Sequence, residues 1–205
     1  MKEVISNKIK QVEHKMKLIL LLTLVAFSQA VVRLPVGDTT VLEPDNGCPN
    51  YCTSTFFRVA RQVSFAGLQT GRGFLEYSLS GLSGTLTNAY LVFTQGGGPL
   101  YGGSKTFVVN TTGNFNECTL SRVTCPNPPP VDTGIVSTGV SISFSDATVN
   151  IPATSACQLA LNNGASSIKF HAFVPTGTNT YLSFHSKENP SGNGPKLVLE
   201  GCTGC

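Results

Sequence analysis

Residues 167–186 read SIKFHAFVPTGTNTYLSFHS. Apolar and polar residues alternate on both sides of Pro175-Thr-Gly-Thr-Asn179, a pattern typical of two half-buried strands joined by a turn. If Val174 pairs with Thr180, the two strands agree on which face is apolar, because cross-strand neighbours lie on the same face. That face holds Ile168, Phe170, Ala172, Val174, Leu182 and Phe184. The stretch therefore predicts a β-hairpin with one buried and one polar face.

Short strand patterns bounded by Gly, Pro, Asn or Asp recur along the chain. They predict strands at 55–63, 73–79, 86–94, 104–110, 139–144, 148–151, 167–174, 180–185 and 196–200. A short helix is predicted at 155–161, ended by Asn163-Gly164. Many short strands separated by turn signals predict an all-β sandwich or jelly roll.

The first thirty residues have the pattern of a secretory signal peptide. Lys15 and Lys17 precede an apolar run over 18–27, and Ser28-Gln-Ala30 offers small residues for cleavage. The run is too short to span a bilayer. We predict a signal peptide over 1–30, with Met16 as an alternative start, and a single secreted, extracellular β-sandwich domain over 31–205.

Charge argues against nucleic acid as a partner. Charged residues make up 12% of the chain, and the formal net charge is +3. Without residues 1–30 the chain loses five Lys and two Glu, which leaves nine basic and nine acidic residues. A neutral chain lacks the positive surface that attracts nucleic acid, so we expect no nucleic-acid partner.

All the cysteines follow the predicted signal peptide: Cys48, Cys52, Cys118, Cys125, Cys157, Cys202 and Cys205. An oxidising compartment makes disulfides the default. The close spacing of Cys48 to Cys52 and of Cys118 to Cys125 allows local bridges, and Cys157 has Cys202 and Cys205 as candidate partners. Because seven is odd, one thiol is free or pairs with another extracellular chain or a second copy.

Several ordered motifs resemble the DNRLRE-type domain. Residues 73–82 (GFLEYSLSGL) and 86–93 (LTNAYLVF) are similar to its paired strands. Residues 183–189 (SFHSKEN), followed by 194–199 (GPKLVL), resemble its C-terminal signature, and Asn50-Tyr51 resembles its entry motif. The likeness implies a jelly-roll β-sandwich of two antiparallel sheets. It also implies a family that includes carbohydrate-binding modules of secreted enzymes.

Carbohydrate binding needs aromatic faces beside hydrogen-bonding side chains. The polar face of the predicted hairpin offers both: Lys169, His171, Phe173, Tyr181 and His185. We predict a carbohydrate-binding module for a polysaccharide or cell-surface glycan, in which Lys169 could meet an acidic sugar. The alternative is that Phe173 and Tyr181 pack beneath a loop.

Metal and glycan attachment each have candidates. Asp38, Asp45 and Glu188 are candidate acceptors for a structural Ca²⁺, although no metal-binding motif is present. Asn110-Thr-Thr112 is an N-glycosylation sequon, so Asn110 is the predicted acceptor if the host glycosylates.

Catalysis is not predicted. The acidic residues are scattered without a local pair for glycoside hydrolysis, and no Gly-x-Ser-x-Gly elbow occurs. On an open sheet, His171 and His185 would lie diagonally as solvated strand residues, without an activated nucleophile. The alternative to a binding module is a structural or adhesive subunit of an extracellular matrix, wall or filament. The odd cysteine, the Cys202-Thr-Gly-Cys205 terminus, the low charge and the absence of Trp favour that alternative.

Overall fold

The structure is a computed structural model that describes residues 10–17, 30–43, 53–64, 67–96, 105–115, 131–136, 140–143, 147–175 and 180–205. Its strands are β1 (Ala30–Arg33), β2 (Gly37–Glu43), β3 (Phe56–Ser64), β4 (Gly67–Ser78), β5 (Asn88–Thr94), β6 (Lys105–Thr112), β7 (Val131–Val136), β8 (Val140–Ile142), β9 (Thr148–Pro152), β10 (Ser167–Phe173), β11 (Thr180–His185) and β12 (Lys196–Glu200). The helices are α1 (residues 10–17) and α2 (Thr154–Asn162).

The strands form two antiparallel sheets. The small sheet has the order β1-β12-β5-β9, and the large sheet has the order β11-β3-β4-β10-β6-β7. In the large sheet β2 also pairs with β4, and β8 also pairs with β6. The predicted jelly-roll β-sandwich of two antiparallel sheets is confirmed.

The core lies between the sheets and is centred on aromatic rings. Phe93 of the small sheet contacts Phe57, Phe107 and Phe184 of the large sheet, with ring centroids 5.7, 5.9 and 5.1 Å away. The rings are tilted or edge-on, as aromatic quadrupoles prefer. Because all four side chains are buried, these contacts join the two sheets.

The predicted hairpin is wrong, although its apolar face is right. β10 pairs with β4 and β6, whereas β11 pairs with β3, so β3 and β4 separate them. The six residues of the predicted apolar face are nevertheless all buried. Alternation determines which face of a strand meets the core, but it carries no information about the partner strand.

Three strands were not predicted: β1, β2 and β7. β2 reads GDTTVLE, and its residues Asp38, Thr39 and Thr40 are polar yet buried, so no apolar alternation marks it. The other nine strands match predicted segments, and β11 and β12 have the predicted bounds. The predicted helix is α2, followed by Gly164 with φ +66°.

The C-terminal cysteines bond to each other. Cys202 and Cys205 form a disulfide with their Cα atoms 5.1 Å apart, in a turn that Gly204 enters with φ +83°. Cys157 on α2 is free and buried, so its predicted bond to Cys202 or Cys205 is wrong. The local turn brings the two terminal sulfurs together while Cys157 packs into the core. The remaining four cysteines lie outside the described residues.

Within the described ranges, neither helix combines the length and apolar character needed to cross a membrane. All residues of α1 are exposed.

Candidate functional site

The structure divides the five predicted glycan-binding residues into two groups. Lys169, His171 and Phe173 lie on β10, and Tyr181 and His185 lie on β11. Neighbouring strands lie roughly 4.8 Å apart, so two intervening strands separate the groups by about 14 Å. They therefore do not form one compact platform.

His171 is buried, not solvated as predicted. Its side chain is 1% exposed, and its ring stacks between those of Phe74 and Phe173, with centroids 4.8 and 5.0 Å away. Neither ring nitrogen has a hydrogen-bond partner. Burial, with a smaller effect from Arg72, lowers the pKa of His171 to about 3. The imidazole is therefore neutral at physiological pH and offers no positive charge to an acidic sugar.

A buried row crosses the outer face of the large sheet at His171. Cross-strand pairing places Asn110 of β6 beside His171, His171 beside Phe74, and Phe74 beside Thr39 of β2. All four are buried, and Phe115, which follows β6, packs on Phe74 at 5.5 Å. The middle of this face is thus covered. Asn110 is 8% exposed, and its glycan remains a prediction.

The β11 group has local contacts of its own. His185 stacks on Phe56 at 6.1 Å, and its Nδ1 lies 2.6 Å from Nδ2 of Asn189. Ser186 donates from its hydroxyl to the carbonyl of Ser54. These contacts tie the turn after β11 to the start of β3. They give the 183–189 motif a structural role.

A cleft of about 220 Å³ lies where α2 meets β6 and β10, and we call it the α2–β10 cleft. Lys169 is the predicted site residue that lines it. Its other polar lining residues include Thr111, Asn114, Asn163 and Ser167. Leu159 adds an apolar surface that is 47% exposed. The cleft therefore combines hydroxyls, amides and one exposed aliphatic side chain.

Lys169 is not a free cation. Its Nζ lies 2.8 Å from Oε1 of Glu76 and donates a 3.1 Å hydrogen bond to Oγ of Ser167. Glu76 stands directly across from it on β4. The Thr111 hydroxyl is buried without a hydrogen-bond partner. Chemically, the cleft presents neutral donors and acceptors and an ammonium whose charge Glu76 compensates.

Helix α2 is held in place by side chains that reach back to the chain around the start of β5. The Ala89 amide donates to Oγ1 of Thr154 at 2.9 Å, and the Leu86 amide donates to Oε1 of Gln158 at 2.7 Å. The cleft residues of the helix follow one face at helical spacing: Ala156, Leu159, Ala160 and Asn163. That spacing was readable in the sequence. The meeting of this face with β6 and β10 was not.

Two of the predicted Ca²⁺ acceptors, Asp38 and Glu188, lie close to each other. Asp38 is 2% exposed, and the Lys187 amide donates a 2.7 Å hydrogen bond to its Oδ2. Burial raises the pKa of Asp38 to about 8; the Lys187 amide opposes this rise, and the negative charge of nearby Glu188 adds to it. Asp45 lies outside the described residues, which contain no group of three or more metal-binding side chains.

Comparison with known proteins agrees with the carbohydrate-binding family implied by the motifs. A family model described as carbohydrate-binding module family 96 matches residues 29–201. A search of curated proteins found no match. The chain therefore belongs to carbohydrate-binding module family 96.

Proposed function

We propose that this protein is a secreted, non-catalytic module that binds a polysaccharide or cell-surface glycan in the α2–β10 cleft. The observation that carries the proposal is the cleft's lining of hydroxyls, amides and an exposed Leu159, in a chain of a carbohydrate-binding family. Sugars need this combination, because their C–H faces are apolar while their hydroxyls need hydrogen-bond partners.

The lining residues suggest distinct roles. Leu159 offers aliphatic contact to a sugar ring, and the amides of Asn114 and Asn163 can each donate to and accept from hydroxyls. Drug-sized ligands fill pockets of about 300–1,000 Å³. A cleft of about 220 Å³ therefore suits a short segment of a polymer.

We also propose that the protein has no catalytic role. Glycoside hydrolysis uses two carboxyl groups flanking the bond that is cut. Among the described residues that line the cleft, Lys169 is the ionisable one, and its partner Glu76 is a single carboxylate. This composition suits binding.

We also propose that the domain is of the DNRLRE type and that the protein is secreted. We propose the DNRLRE type because residues 183–189 and 194–199 resemble its C-terminal signature. The contacts of His185 and Ser186 support this assignment, because they show that residues of the signature hold the turn after β11 in place. Secretion rests on the signal-peptide pattern of residues 1–30.

The structural-subunit alternative depended partly on the odd cysteine. Cys157 is the free cysteine of the described residues; it is 0% exposed, and burial raises its pKa to about 12. A buried, protonated thiol can neither reach another chain nor react readily to form a disulfide with it. This cysteine therefore gives no support to the alternative, whereas the family match supports carbohydrate binding.

Binding to a panel of soluble polysaccharides tests the cleft. Retardation in native gels containing each polymer would identify a ligand. Asn114→Ala with Asn163→Ala should then weaken binding about tenfold or more, because each removes a hydrogen-bonding group worth roughly 1 kcal/mol. Ser155→Ala is the matched control, since Ser155 is exposed on the same helix and does not line the cleft. Undiminished binding by a folded double variant would refute the cleft as the site.

A further inference from the structure

We propose that the Cys202–Cys205 disulfide is a reducible latch that holds α2 in place, so that its reduction by a dithiol weakens binding in the α2–β10 cleft. The inference rests on the proposed function, and it gives a role to the terminal Cys-Thr-Gly-Cys motif, which the cleft itself does not use. The contacts that carry it run from the disulfide to the chain before β5, and from there to α2.

The first contact joins the disulfide loop, residues 201–205, to the 81–87 segment that leads into β5. The main chains of Ser83 and Thr203 exchange two hydrogen bonds, of 3.1 and 2.7 Å. The two segments are also closely fitted, because a Cβ atom on Gly204 would lie 2.5 Å from a main-chain oxygen of the 81–87 segment. The disulfide loop therefore supports that segment along its side.

The second contact joins the 81–87 segment to α2 through one side chain. Oε1 of Gln158 accepts a 2.7 Å hydrogen bond from the Leu86 amide, and its Nε2 donates to the carbonyl of Gly84 at 3.1 Å. The next residue of the helix, Leu159, lines the cleft. A displacement of the 81–87 segment would therefore reach the wall of the cleft through Gln158.

The disulfide is accessible to a reductant. Cys205 is partly exposed and Cys202 is 8% exposed, and exposed disulfides are the more easily reduced ones. One sulfur of a dithiol attacks the Cys205 sulfur, which forms a mixed disulfide and releases Cys202 as a thiolate. The second sulfur then displaces Cys205, so that the dithiol becomes a cyclic disulfide. Each released thiolate takes up the proton that the attacking thiol has lost.

Reduction should loosen the disulfide loop without unfolding the domain. Gly201 and Gly204 have φ values of +84° and +83°, and their backbone freedom favours fraying of the chain end once the bond is open. A disulfide across so short a loop constrains the unfolded chain less than a longer one does. A purely structural disulfide would lower the Tm slightly on opening and leave the affinity of the folded protein unchanged. The affinity well below the Tm is therefore the informative quantity.

The test compares binding by the oxidised protein with binding after native treatment with dithiothreitol. The probes are soluble alginate, polygalacturonate, xylan and laminarin, and each polymer that retards the parent in a native gel is titrated. Alkylation and mass spectrometry identify the dose at which Cys202 and Cys205 are the modified cysteines. At that dose the Kd should rise about fivefold or more, the lower end of coupling between linked sites. Reoxidation should restore the parent Kd.

Three variants locate the path from the disulfide to the cleft. Cys202→Ser with Cys205→Ser opens the latch without a reductant, so it should bind as weakly as the reduced parent and should not respond to dithiothreitol. Gln158→Ala should weaken binding by the oxidised protein. Its effect should shrink when the latch is already open, because both changes act on one path. Ser155→Ala, an exposed position of the same helix outside the cleft lining, is the matched control and should behave like the parent.

Hydrogen exchange of the α2 amides separates the latch from the proposed function. Opening the latch should speed exchange in α2 and leave exchange in β11 of the large sheet at the parent level. If the folded open variant binds as tightly as the parent, the latch is refuted while cleft binding stands. If the folded parent binds no polymer, the proposed function fails. Exchange in α2 then decides whether the disulfide holds the helix, and equal exchange in the open and parent proteins refutes that as well.

Discussion

The main-chain amide of Lys187 donates a 2.7 Å hydrogen bond to the carboxyl group of Asp38, across 149 positions of sequence. The bond ties β2 to the turn that follows β11. Asp38 is buried beside Glu188, and burial together with the nearby negative charge raises the pKa of Asp38 to about 8. Lys187 and Tyr77 also interact electrostatically with Asp38. With a pKa of about 8, the Asp38 carboxyl group holds a proton in the folded protein at neutral pH.

The contribution of Asp38 to the free energy of unfolding should fall as pH rises from about 4 to about 8. The folded pKa of Asp38 is about 8, against an ordinary value of 3.8, so the folded chain binds more protons than the unfolded chain in that window. The effect amounts to several kcal/mol, since each unit of pKa difference is worth about 1.4 kcal/mol. Asp38→Asn, a mimic of the protonated acid, should be more stable than the parent at pH 8 and similar at pH 4.

Urea unfolding from pH 4 to pH 9 measures this difference, with Glu200→Gln as a control for charge. The comparison with Asp38→Asn is needed because other groups titrate in the same range. A constant difference between Asp38→Asn and the parent at all pH values would contradict the buried proton.

Calcium should compete with that proton. Carboxylates are Ca²⁺ ligands, so we expect millimolar Ca²⁺ to raise the Tm of the parent at pH 8, where the pair is more ionised, and to have no effect at pH 5. Asp38→Asn should not respond at either pH, and Mg²⁺ should have a smaller effect. Thermal unfolding with and without a chelator checks this. An equal response to Ca²⁺ in Asp38→Asn would remove Asp38 from the site.

His171→Phe should stabilise the fold. The imidazole is buried between two aromatic rings and has no hydrogen-bond partner, so it loses hydration without compensation. Replacing it with an apolar ring should raise the free energy of unfolding by about 1 kcal/mol at pH 7. The gain should grow as pH falls below about 6.5. Below that pH the unfolded parent chain binds a proton at His171, whereas the folded chain, with a His171 pKa of about 3, does not.

Denaturant titration at pH 5 and pH 7 compares the two proteins. His185→Phe is the control. His185 hydrogen-bonds to Asn189, so this change should lower the stability of the protein. If His171→Phe were strongly destabilising at both pH values, the imidazole would have a polar partner in solution.

The cysteines should leave the protein monomeric. Cys157 is buried, and its raised pKa keeps it protonated, so a thiol reagent should not label the native chain. Denaturation should expose one reactive thiol per chain, if the four cysteines outside the described residues pair as predicted. Non-reducing gels and thiol titration measure this. Disulfide-linked dimers that persist in Cys157→Ala would revive the structural-subunit alternative.

The sequence by itself determined the class of fold and the faces of its strands. Alternating apolar residues identified both strands in 167–186 and the six side chains that they bury. Gly164 and Asn163 marked the end of α2. These features are local, because the pleat of a strand and the backbone freedom of glycine depend on adjacent residues only. The ordered motifs are also local in sequence, and their resemblance implied the carbohydrate-binding family that the family model matches.

Only the tertiary structure decided which strands pair and what each outer face meets. It placed β3 and β4 between β10 and β11, buried His171 beneath aromatic rings, and set Glu76 against Lys169. It also joined α2 to β6 and β10 as the walls of a cleft. Pairing and burial depend on packing between segments far apart in the chain. An alternating pattern fits any partner that covers its apolar face, so the choice is made when the whole core assembles.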